Sequence, residues 1–194
     1  MNHSTGQAST DLEQAEQEAW FAQVLDVLRG AGPEARAFVD YIDQEGVTLG
    51  FSPQRHSSAS WFDWRRLRRG IFLRPAYARR DPHDPDLAVM IAHEALHLRQ
   101  GVLEALSVRG ELEAWQSEYA LACRLSASRA VSAKAALTEL DPNSRDDLKR
   151  ARALMGQIGG PAYRIGWLPL EPLPAEMRHW IRRLLGLSHK EDDR

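Results

Sequence analysis

The sequence predicts an α+β fold in which a small, mostly antiparallel sheet packs on one histidine-bearing helix, between predominantly helical N- and C-terminal parts. Three observations lead there. Apolar residues recur at helical spacing near both ends of the chain. Between Gly46 and Tyr77 the texture changes to short runs rich in β-formers, GVTLGFS, ASWFDW and GIFLRPAY, separated by Pro, Ser and Gly. The stretch Ala88–Gly101, AVMIAHEALHLRQG, then reads as a helix with two histidines four residues apart. A chain of 194 residues, 43% apolar and 27% charged, is long enough for one core. The expected organisation is a disordered tail over residues 1–11, rich in Ser, Thr, Asn and Gln, and a single domain over 12–194.

Each element has its own signal. Phe21, Val24, Leu25 and Leu28 share one face of a first helix, broken by Gly30-Ala31-Gly32-Pro33. Pro33 suits the first turn of a second helix, which buries Phe38, Tyr41 and Ile42 and ends before Gly46. Two or three strands follow. Pro75 cannot donate to a ladder, which makes GIFLRPAY an edge strand or places the proline at a strand end. Asp84 then caps, Pro85 opens and Gly101 closes the histidine helix. Further helices are expected from about Ser107 or Arg109 to Ser126, from Ser128 to Leu140, and from Ser144, whose pairing with Asp147 resembles a capping box, to Gly159-Gly160. YRIGWLPLEPLP reads as a packed, extended connector to a final amphipathic helix with Met177, Trp180, Ile181, Leu184 and Leu185 on one face.

Composition narrows the function classes. Lys plus Arg (25) nearly balance Asp plus Glu (27), so the net charge gives no support to a nucleic-acid partner, and none is expected. The single cysteine, Cys123, has no partner for an intramolecular disulfide, and the first twenty residues lack an apolar signal core. A cytoplasmic location is the expectation. No apolar run reaches the roughly 18 residues needed to span a bilayer, so no membrane association is expected.

The chemistry concentrates in HEALH. On a helix, His93 and His97 project from one side and converge on one point, while Leu87, Ile91, Ala95 and Leu98 form a core face roughly opposite. Glu94, about 100° around the helix, flanks that point without reaching it as a ligand. This is the H-E-x-x-H arrangement, in which two histidines bind zinc and the glutamate is general base toward the activated water. A catalytic zinc takes a third protein ligand. The metzincin pattern would put Gly at position 100 and His at 103, where Gln100 and Leu103 stand. His56, His83 and His179 are poorly placed, and Cys123 lies downstream where a deformylase-like site would need an upstream cysteine. A carboxylate from the next helix, GELEAWQSEYALACRL, remains. Glu113 shares a small-residue side with Gly110, Ser117 and Ala120, which favours it; Glu111, sharing a side with Ala114, Trp115 and Glu118, is the alternative.

HEALH followed after sixteen positions by Glu113-Ala114 resembles the gluzincin branch of the zincin metallopeptidases, most nearly the minimal, single-domain peptidase-MA-like proteins, over about residues 46–126. The resemblance implies a Zn2+ cofactor on His93, His97 and a glutamate, with Glu94 as the catalytic base. It also implies a protein or peptide substrate lying along an edge strand, for which GIFLRPAY is the candidate. Where the thermolysin-type pattern has an aspartate four residues after the ligand glutamate, this chain has Ser117 after Glu113, so the partner of the histidines is unassigned. Tyr119, Tyr163, His179 and Arg164 are chemically able to donate to an oxyanion. The expected function is zinc-dependent peptide hydrolysis; the alternative is a catalytically inactive metal-binding or protein-interaction module on the same fold. Seven arginines between Arg65 and Arg80 read first as a solvated loop in a chain with 22 Arg and three Lys, and second as an anion or nucleic-acid contact. Trp61, Phe62 and Trp64 beside them read as sheet or core residues.

Overall fold

The computed structural model describes residues 4–53, 59–63, 68–129, 132–160 and 163–184, and its architecture is α+β. Helices α1 (Ser4–Gly30) and α2 (Pro33–Gln44) pack on each other, with Pro33 in the first turn of α2 after Gly32 at φ +106°. Phe21, Val24, Leu25 and Leu28 are buried as their spacing requires. Helix α1 also runs through residues 4–11, where a disordered tail was expected; residues 1–3 lie outside the described residues. Low apolar content predicts little burial, but a helix already nucleated by a packed half extends at one hydrogen bond per residue without it.

Three strands follow: β1 (Leu49–Phe51), β2 (Ala59–Asp63) and β3 (Arg68–Leu73), in the order β1-β3-β2. The sheet is mixed, with β1 parallel to β3 (Leu49 opposite Ile71) and β2 antiparallel to it (Ala59 opposite Leu73), where mostly antiparallel pairing was expected. The expected edge strand is the centre of the sheet. Ile71, Phe72 and Leu73 are buried, and β3 stops before Pro75, which opens a 3-10 turn to Arg79. Missing its amide proton, the proline is kept out of the ladder by ending the strand rather than by placing it at an edge.

Helix α3 (Pro85–Gln100) has Asp84 as its cap, accepting from the Asp86 amide, Pro85 in its first turn and Gly101 at its end. After the short α4 (Val102–Ala105) comes α5 (Val108–Arg124), whose first amides are all satisfied: Val108 and Arg109 donate to the carbonyls of Pro169 and Leu170, and Gly110 to Ser107 Oγ. The proline-rich segment is thus a packed connector, with Ile165 and Leu170 buried. Among the described residues, the helix expected over 128–140 is reduced to α6 (Ser132–Ala135) and a 3-10 turn to Glu139. Gln116 Nε2 donates to the carbonyls of Leu137 and Leu140 at 2.8 Å each, which ties the segment to α5 instead of to a continuing helical ladder. Helix α7 (Arg145–Gly159) has the expected Ser144 cap, and α8 (Leu173–Leu184) ends the described chain.

Among the described residues, the buried apolar side chains form two hydrophobic cores. One joins α1, α2, the sheet, α3 and the C-terminal half of α5; the other joins the opposite side of α5 (Val108, Leu112, Trp115) with Leu137, Leu148, Met155 and Leu170. Helix α3 is buried nearly all round, in contact with α1, α2, β2, β3, α4 and α5. Among the described residues no helix is long and apolar enough to cross a membrane.

Candidate metal centre

Helix α5 crosses the histidine side of α3 and brings Glu111 to it. His93, His97 and Glu111 each offer a ligand atom, and these atoms lie within 4.8 Å of one another. The two Nε2 atoms are 3.1 Å apart, and His97 Nε2 is 3.7 Å from Glu111 Oε1. His97 is buried, whereas the His93 and Glu111 side chains keep 14% and 16% of their exposure and form the solvent side of the cluster.

Glu113, favoured on sequence as the third ligand, is not in this cluster; its Oε2 accepts from Gln100 Nε2 at 2.9 Å. Small residues do mark the closely packed side of α5, but that side carries Glu111 rather than Glu113. Ala114 and Ala122, both fully buried, lie at the spacing of Glu111 and Glu118 and turn that face to α3. Ser117 and Ala120 instead line a groove with Ala35 and Phe38 of α2. Gly110 makes room for α4, since a Cβ there would meet the Glu104 carbonyl oxygen at 2.1 Å.

Each of the three candidate ligands has a partner of its own. His93 Nδ1 faces Glu118 Oε2 at 3.0 Å, and Glu118 Oε1 in turn holds Arg129 Nε at 2.6 Å and Lys134 Nζ at 2.8 Å. His97 Nδ1 meets Gln100 Oε1 at 3.0 Å. Glu111 Oε2 accepts from the Tyr163 hydroxyl, which accepts from Trp115 Nε1 at 2.7 Å. Sequence reasoning missed Glu118 and Gln100 as partners. Both were within reach of a spacing argument, since Glu118 is two turns on from Glu111 and Gln100 is three residues on from His97. Of the four possible oxyanion donors, Tyr163 is brought to the cluster; Tyr119 interacts with Cys123, His179 sits against Trp180, and Arg164 is exposed.

The electrostatics follow from burial and these contacts. Burial alone would lower His93, but the Glu118 carboxylate beside it, with Glu94 and Glu111 nearby, outweighs it and pushes it up to about 9. His97 is pushed down to about 4, chiefly by burial, with the His93 charge adding. Burial would raise Glu118, yet His93, Arg129 and Lys134 hold it well below the usual carboxylate range. Glu94 is raised to about 7, first by burial and then by the charges of Glu111 and Glu118, against the opposing pull of His93.

The donor set fits a divalent ion. Two nitrogens on one tetrahedral zinc stand about 3.3 Å apart, close to what the Nε2 pair shows, and two imidazoles with one carboxylate are a zinc-type ligand set. The arginine run serves the fold where it is described: Arg68 donates to Thr48 Oγ1, Arg69 to the Leu98 carbonyl near the end of α3, and Arg80 pairs with Asp84. Arg65, Arg66 and Trp64 lie outside the described residues, and Trp61 packs on the first core. No protein-family model matches the chain, and comparison with curated proteins and with solved structures gives no match either.

Proposed function

We propose that the chain is a zinc-dependent peptidase of gluzincin type, with His93, His97 and Glu111 holding the ion and Glu94 carrying the proton. The observation that supports it most is the convergence of two imidazole Nε2 atoms and a carboxylate within 4.8 Å, each held by a further polar group. When bound there, zinc would acidify a water and polarise a substrate carbonyl. Glu94 sits on the helix beside the ligands, a buried carboxylate next to His93 that would take a proton from water and return it to a leaving amine. Tyr163 restrains Glu111 and presents the one phenol beside the cluster. With β3 central, the strand available to an extended substrate moves to the outer edge of β2, which packs against α3.

Zinc titration of the purified full chain, followed by peptide-library cleavage, tests this reading. One zinc per chain is expected, lost in Glu111→Ala and retained in Glu113→Gln, and Glu94→Gln should bind zinc yet hydrolyse nothing. A chain that refuses zinc overturns the proposal. Tight zinc binding without cleavage of any peptide would favour the inactive binding module instead.

A further inference from the structure

We infer that Gln100 and Glu113 are positioning residues that fix His97 as its Nδ1–H tautomer, leaving Nε2 as a bare lone pair aimed at His93 and Glu111. The part of this that concerns zinc affinity rests on the metal-centre reading above; the tautomer itself does not.

The side-chain amide of Gln100 has two ends that differ chemically although they look alike in shape. One end touches the Gly110 carbonyl oxygen at 3.0 Å and Glu113 Oε2 at 2.9 Å. Both are acceptors, so this end must be the NH2 group, which has two protons and spends one on each. Turning the amide over would set its oxygen against a carbonyl and a carboxylate, three acceptors facing one another with no proton between them. The other end is therefore the oxygen, and it lies 3.0 Å from His97 Nδ1. An amide oxygen only accepts, so Nδ1 must carry the proton. A neutral imidazole has one N–H, and Nε2 is then the free acceptor.

Glu113 and Gly110 O fix the amide, the amide fixes the ring nitrogen, and the ring, buried with 2% exposure, has no water to turn toward. The two histidines are thereby supported differently. His93 faces the carboxylate of Glu118, which strengthens its basicity, whereas His97 faces a neutral amide that orients it without adding charge to a site already holding Glu94, Glu111 and Glu118. The sequence-favoured Glu113 thus has a task two bonds removed from the ligand it orients.

Ring 15N NMR of the histidine-labelled full chain tests the tautomer without added metal and again with zinc. The expected result is a protonated Nδ1 on His97 in both states. Gln100→Leu should lose that preference and weaken zinc about 10- to 100-fold in competition with a chelating dye. Glu113→Gln keeps an acceptor for the amide and should lose less than Gln100→Leu. A protonated Nε2 on His97 in the wild-type chain overturns the proposal, and so does a Gln100→Leu protein that binds zinc as tightly as wild type. Glu113→Leu abolishing zinc while Gln100→Leu spares it would make Glu113 a ligand and overturn it too. A chain with the expected tautomer that binds no zinc would support the positioning pair and sink the metal centre. Because the tautomer is read in the unaltered protein, a variant that fails to fold leaves the test intact.

Discussion

Lys134 is buried to 6% exposure, an unusual place for an ammonium group, and two neighbours account for it. Its Nζ lies 2.8 Å from Glu118 Oε1 and 4.8 Å from the centre of the Trp115 ring. Glu118 needs this cation, because it is itself buried and accepts from Arg129 with the same oxygen while the other faces His93. Substituting Lys134→Met keeps the stem and its packing on Trp115 but leaves Glu118 with less compensation. The expected cost is about 3 kcal/mol, the lower end for breaking a buried pair, since Arg129 remains. Urea unfolding of Lys134→Met, Glu118→Gln and the double variant checks it: the double should cost clearly less than the sum of the singles, and simple additivity would show that the two groups do not depend on each other. None of this was legible in the sequence. Glu118 was visible as a residue on the Glu111 side, but Lys134 comes from a segment whose path depends on Gln116 tying Leu137 and Leu140 to α5.

Helix α8 packs on the body with its polar side inward. Glu176 is buried and holds Arg145 at 3.0 Å and the amides of Leu170 and Glu171, whereas Leu173, Met177, Trp180, Ile181 and Leu184 are each more than half exposed. The spacing that made this helix legible did not reveal which face docks, because the docked face is the one that carries the Glu176 carboxylate, paired with the half-buried Arg145 and two backbone amides, while the apolar stripe stays exposed. Burial pushes the Glu176 carboxyl up, but Arg145 and the two amides hold it below its ordinary value. A carboxyl lower in the folded than in the unfolded chain contributes stability above the ordinary glutamate range, and that contribution is lost as pH falls below about 5. The stability difference between wild type and Glu176→Gln should therefore shrink between pH 6 and pH 3 in urea unfolding; parallel curves would mean that the ion pair is not what anchors α8. The rest of the element map was read more directly. The caps at Asp84 and Ser144 are local chemistry between residues two or three apart, and they stand where the sequence puts them; Ser107, one of two expected starts of α5, caps it in the same way. Sheet order is not local. GIFLRPAY contains a proline that excludes it from a central ladder only at the proline itself, and β3 ends two residues short of it.

The candidate site lies on the seam between the two cores. His93 and His97 sit on α3, which belongs to the first core, while Glu111 is held through Tyr163 and Trp115, which pack in the second. Helix α5 contributes Leu121 and Ala122 to one core and Leu112 and Trp115 to the other, and it carries Glu111 between them. An ion taking donors from both α3 and α5 would bind only the assembled chain, because the unfolded chain does not hold these groups together. Binding to the folded state alone raises stability by about 2.7 kcal/mol when the free ion exceeds its Kd a hundredfold. For a chain of this size that corresponds to a rise in Tm of about 5–10 °C. Scanning calorimetry of the full chain in excess chelator and at rising zinc should show this rise, and Glu111→Ala should remove it. Met155→Ala, remote from every ligand in the second core, should lower Tm in both conditions through a cavity cost of about 2–5 kcal/mol, yet keep part of the zinc-dependent rise. If zinc leaves the Tm of the wild-type chain unchanged, the two cores are not joined through an ion at this seam.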